Sequence, residues 1–105
     1  MAEVRIVGAE HLDGLELRTQ GLVEQGLPEL CARGLPPYLG QGWARVLAAL
    51  AQSLVAGGAE IPDHVILGTG VRVRLIREGD LLLPVPPDGE PTGEWRRELV
   101  LALFC

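Results

Sequence analysis

At 105 residues, 48% of them apolar, the chain can bury a core without metals or disulfides, and it is too apolar to be disordered. Its net charge of −5, from 9 basic and 14 acidic residues, argues against a general nucleic-acid binder and against anionic membrane surfaces. The two cysteines, Cys31 and Cys105, make neither a disulfide framework nor a zinc site.

No apolar run reaches the length of a membrane span; the longest are residues 99–105 and 46–50. The first ten residues have no basic segment followed by an apolar one, so no secretory signal is read there and a cytoplasmic protein is expected. The whole chain, 1–105, is expected to be one domain. All nine basic residues are arginines, and asparagine is absent. A GC-rich genome accounts for that bias; selection of arginine for bidentate contacts is the other explanation. Cys31, in an apolar context, is read as a small core residue, and Cys105 as a free end.

In chain order, residues 3–8 alternate, with Val4 and Ile6 on one side and Glu3 and Arg5 on the other, which predicts a half-buried strand. Residues 10–14 are turn-like. Residues 15–19 alternate again, with Leu15, Leu17 and Thr19 sharing a face. Gly21 and Gly26 bracket a short connection. Pro28 opens a strand over 29–33, expected near a sheet edge because proline cannot donate to a ladder. Residues 36–58 give the one long helical signal. Leu39, Trp43, Val46, Leu47, Leu50 and Leu54 form its apolar face, Pro36 and Pro37 suit its first turn, and Gly57 and Gly58 suit its stop.

After a loop at 59–63, four strands are expected as a meander: 64–67, 71–77, 80–85 and 94–104. Gly68-Thr69-Gly70 and Glu78-Gly79 read as turns between them. The last segment fits either state. Thr92 and Glu94 suit a helix start, but the apolar run 99–104 favours a central strand. The fold class is therefore α+β, one long helix packed on a mostly antiparallel sheet.

The run Thr19-Gln20-Gly21-Leu22 followed by Gly26-Leu27-Pro28-Glu29-Leu30 has the pattern T-x-G-L-x-x-x-G-x-P-E-L. Over residues 17–30 it resembles small uncharacterised bacterial families in which this run links two strands. The resemblance implies that Gly21 and Gly26 are backbone necessities and that Glu29 satisfies the N–H groups of the turn. It carries no chemistry over, and implies a bacterial cytoplasmic protein of unassigned function.

Signals of catalysis are weak. Gly68-Thr69-Gly70 lacks the third glycine and following helix of a dinucleotide site. His11 and His64, beside Glu10 and Asp63, have no metal-ligand spacing, so no metal or cofactor is expected. Cys31 or Ser53 would need a histidine to act as nucleophile. Arg72, Arg74, Arg96 and Arg97 can line one sheet face and hold an acidic ligand or partner; the plainer reading is a solvated face paired with Glu16 or Glu98. Trp95 beside Arg96 is either an exposed recognition residue or a core lid. The binding candidates are thus Arg72, Arg74, Trp95 and Arg96.

The helix adds one more expectation. Between residues 39 and 58 its single charge is Arg45, and its outer side is rich in alanine. A surface helix normally carries a charged face, so a second copy is expected to cover it as a two-fold homodimer. The expected function is a small non-enzymatic binding domain acting on a protein partner or on itself. The alternatives are a small-ligand-binding protein or enzyme with a pocket near the 87–93 loop, and an acidic inhibitor or immunity-type partner of a basic protein.

Overall fold

The computed structural model describes residues 4–57, 61–68, 70–86 and 91–104. Period-two alternation produces six strands: β1 (Arg5–His11), β2 (Gly14–Gln20), β3 (Glu29–Leu35), β4 (His64–Leu67), β5 (Val71–Glu78) and β6 (Leu81–Val85). Two α-helices accompany them, α1 (Gly40–Gly57) and α2 (Thr92–Phe104). The strands form one sheet in the order β1-β2-β3-β6-β5-β4, antiparallel throughout except where β3 meets β6. The class is α+β.

The six helix residues named from spacing, Leu39 to Leu54, are all buried. They share one cluster with Leu17, Leu30, Ala32, Val65, Leu67, Val73, Leu75 and Leu82 from the strands. Each such side chain contributes roughly 1.5–3 kcal/mol on leaving water. Pro36 and Pro37 lead into a 3₁₀ turn, Pro37–Leu39, and the α-helix proper begins at Gly40.

Three expectations are corrected. First, β3 is the third of six strands, not near an edge. Pro28 precedes the strand instead of interrupting it, so no ladder donor is lost. Second, residues 94–104 are helical, so the C-terminal meander has three strands, not four. Trp95, Leu99 and Leu103 recur every four residues; the first two are buried and Leu103 packs against the core. The strand reading assumed that every apolar residue in 99–104 had to be buried, yet Leu101 is 52% and Phe104 38% exposed. Third, the β5–β6 turn is Gly79-Asp80, one residue later than expected, with Gly79 at φ +60°. Thr69, Gly58 and Cys105 lie outside the described residues.

Pro84 explains the short parallel pairing. The Leu75 N–H donates to the Asp63 carbonyl, which sets the phase of the β4–β5 ladder. Carried through the β5–β6 register, that phase turns Leu81, Leu83 and Val85 toward β5, and Leu82 and Pro84 toward β3. Proline has no N–H to offer there, and the β3–β6 pairing runs only over Glu29–Leu81 and Leu30–Leu82.

α2 docks against α1 at a glycine. A Cβ on Gly42 would lie 2.6 Å from Val100 Cγ1 and 2.9 Å from Cγ2, and a β-branched side chain cannot swing clear. Gly42→Ala is therefore expected to destabilise the fold by about 1–3 kcal/mol in urea denaturation. In a Val100→Ala background the same change should cost clearly less, because only the Cβ contact at 3.3 Å remains and alanine is the better helix former. Equal loss in both backgrounds would show that the helices do not meet here.

Candidate functional site

The alternation that buries one side of each strand under the helices leaves the other side uncovered. On β4 the buried residues are Val65 and Leu67, and the exposed ones His64 and Ile66. On β5 they are Val73 and Leu75 against Arg72, Ile76 and the half-buried Arg74. Register places His64 opposite Arg74 and Ile66 opposite Arg72. The result is a row of cationic and aliphatic side chains along the β4 edge. Ile66 is 63% and Ile76 39% exposed, and Leu81, Leu83 and Val85 continue the apolar surface across β6.

β5 runs on past the start of β4, which leaves a notch in this edge. A concavity of about 610 Å³ occupies it, lined by Asp63, His64, Arg72, Arg74, Ile76 and Arg77. Arg72, Arg74 and His64 stand on the uncovered face near one carboxylate, Asp63, a local excess of positive charge on a chain of net charge −5, while Arg77 follows the phase of Val73 and Leu75 toward the helical side. Arg74 is engaged within its own chain, and Arg77 Nε donates to the Gly79 carbonyl at 3.4 Å.

Glu16 does not pair with these arginines. It sits on β2 between Arg18 Nη2 at 3.1 Å and His11 Nε2 at 3.3 Å. Glu98 is exposed on α2. Further along the uncovered face Arg33 Nη1 meets Glu78 at 3.4 Å. Cys31 and then Glu78 hold the Arg33 guanidinium above its ordinary pKa. Cys31 itself is fully buried.

Trp95 and Arg96 lie in the helical layer, on the opposite side of the sheet from Arg72 and Arg74, so the four candidates do not form one site. Trp95 is 5% exposed and meets Trp43 edge-to-face, with centroids 5.6 Å apart; it is the core lid. Arg96 ties α2 to the β3–α1 junction. Its guanidinium lies 5.9 Å over the Trp43 ring, and its Nη1 donates to the Gly34 carbonyl at 3.2 Å. Trp43 Nε1 donates back to the Arg96 carbonyl at 3.1 Å. Burial lowers the Arg96 pKa, and its Nε is buried with no partner among the described residues.

Glu29 closes the turn that begins at Gly21. Its Oε2 accepts from the Gly21 and Val23 N–H groups at 3.1 and 3.3 Å. Its Oε1 accepts from the Leu22 N–H at 3.1 Å and the Thr19 hydroxyl at 2.8 Å. Thr19 Oγ1 in turn accepts the Leu30 N–H at 2.8 Å. Gly21 and Gly26 both adopt positive φ, +121° and +78°.

A second, more apolar groove of about 350 Å³ runs beside α1, between Val4, Gln25, Ala48, Gln52, Val55 and Ala56. The 87–90 part of the loop considered from sequence lies outside the described residues. Among the described residues, no three His, Cys, Asp or Glu side chains are grouped to hold a metal ion, and no helix is long and apolar enough to cross a membrane.

The sequence reading missed His64, Ile66 and Ile76 as members of the site. The signal was present, since Ile66 and Ile76 occupy the same alternation phase as Arg72 and Arg74. Comparison with known families, curated proteins and solved structures gives no match to this chain.

Four bonds on one carboxylate make Glu29 a test of how the turn is held. Glu29→Ala is expected to cost on the order of 1–3 kcal/mol in a denaturant melt, with Glu29→Gln costing less because the amide keeps an acceptor. Two variants that melt like the parent would remove the turn's dependence on this side chain.

Proposed function

We propose that the chain is a non-enzymatic interaction domain that docks a protein partner on the uncovered face of its sheet. The observation that carries this reading is one-sided cover. Both helices contribute to the single core cluster, while Ile66 and Ile76 stay exposed on the other face among arginines. Ile76 stands opposite Leu83 and Ile66 opposite Arg72, and apolar side chains with a charged surround are the composition of a docking surface. Groups that would suit catalysis are poorly placed: Cys31 is fully buried, Ser53 is exposed on α1, and His11 is taken by Glu16. In this reading the protein is a bacterial cytoplasmic one, as the likeness over residues 17–30 implies.

A second reading, self-association through α1, rests on the groove beside Ala48 and Val55. α2 already takes part of the helix surface, since Gly42 faces Val100 and Arg45 lies 5.8 Å over Phe104. What remains for a second copy is the flank of Ala48, Gln52, Val55 and Ala56.

Two variants separate the readings. Ile66→Glu with Ile76→Glu should leave the melt unchanged and abolish crosslinking to a partner that the parent and Ala48→Glu both capture from the host. A partner held equally by all three proteins would sink the sheet-face reading. For self-association, light scattering behind a sizing column should give a dimer mass that Ala48→Glu converts to monomer. A monomer mass for the parent would end the second reading.

A further inference from the structure

We infer that the occupant of the β4 edge is an extended acidic peptide segment that adds to the sheet as a seventh strand. The inference rests on the sheet-face reading above and names the partner's chemistry. Two observations carry it, one from the backbone and one from the side chains.

The backbone observation is the phase of the ladder. The Asp63 carbonyl accepts from the Leu75 N–H, so Asp63, Val65 and Leu67 turn their backbone groups inward to β5. His64 and Ile66 then turn their N–H and C=O groups outward. β4 ends the sheet, so among the described residues no strand pairs with that edge. An exposed edge of this kind templates an added strand, with affinity from main-chain hydrogen bonds and specificity from alternate side chains.

The side-chain observation is charge. On the uncovered face, alternate residues of an added strand would stand beside His64 and Ile66, in the row that continues to Arg74 and Arg72. Arg74 and Arg77 have partners within their own chain, so Arg72 and His64 are the groups that meet the newcomer. Carboxylates at alternate positions complement that row, and the exposed aliphatic side chain of Ile66 gives an apolar contact beside them. A polyphosphate suits it less. It extends well past the notch and meets a surface whose total charge is −5.

The test uses the whole protein and a short alternating Glu-Val peptide carrying a fluorophore, with a Lys-Val peptide and a single-stranded oligonucleotide as comparisons. The Glu-Val peptide should bind by anisotropy, and the amides of His64 and Ile66 should become protected from hydrogen exchange. Arg72→Glu should weaken this binding at least about tenfold and bring the Lys-Val peptide to comparable affinity. Arg5→Glu, the same charge change on the opposite edge strand, should alter binding far less. Stronger binding of the oligonucleotide would overturn the inference in favour of a phosphate ligand. Protection elsewhere in the chain, indifference to Arg72→Glu, or no Glu-Val binding up to about 1 mM would also overturn it. If the peptide fails while the Ile66 and Ile76 variants still lose a captured partner, only the acidic strand is wrong; if both fail, the docking face is wrong as well.

Discussion

Two antiparallel, three-stranded halves meet at a single short parallel seam, and α1 is what fastens it. The seam itself pairs Glu29 and Leu30 with Leu81 and Leu82, and Pro84 ends it. A pairing that short cannot hold two meanders in register on its own, because few main-chain bonds cross it. The cluster does so instead. Trp43, Val46, Leu47, Leu50 and Leu54 lie in one apolar stripe with Leu17, Leu30 and Ala32 from the first half and Val65, Leu67, Val73 and Leu75 from the second. α2 depends on the same stripe through Trp43, which packs on Trp95 and bonds to the Arg96 carbonyl.

Because one helix serves both halves, the chain spends its helical apolar surface on one side of the sheet. The opposite face must then be tolerable in water or covered by something else. Much of it is tolerable. Arg18 stands opposite Cys31 in register, Glu16 bridges His11 and Arg18, and Arg33 meets Glu78. Cys31 is fully buried although it sits on this face, and the long arginine stems beside it are the side chains suited to cover it. The pairing thins toward β4, where Ile66 and Ile76 stand out between cations.

The strands were legible because period-two alternation with a buried side leaves little freedom of phase. Val73 and Leu75 had to face the core once Arg72 and Arg74 faced away. The role of Glu29 is implied by the likeness over residues 17–30, and its physical reason is that a carboxylate eight residues after Gly21 reaches back over the intervening N–H groups. Strand order is not legible in the sequence, and Pro28 alone points β3 toward an edge. A proline before a strand and a proline within one look alike in sequence. The last segment was misread for an energetic reason. Its apolar run reads as surface that must all be buried, whereas Leu101 stays in water and Phe104 lies under the Arg45 guanidinium. Trp95 could not be placed until Trp43 was known to be its neighbour.

Net charge was the weakest guide to the site, and the reason is one of length scale. At physiological ionic strength, exposed charges are screened beyond roughly 8 Å. The molecule measures 32 × 30 × 26 Å, several screening lengths across. A ligand at the β4 edge therefore meets Arg72, Arg74, His64 and Asp63, while most of the carboxylates behind the total of −5 lie too far away to oppose them. The same total still acts on anything long enough to cross several screening lengths. An acidic chain thus keeps a cationic edge usable by a short acidic strand while repelling an extended polyanion. Size of ligand, as well as sign of charge, decides what this edge can hold.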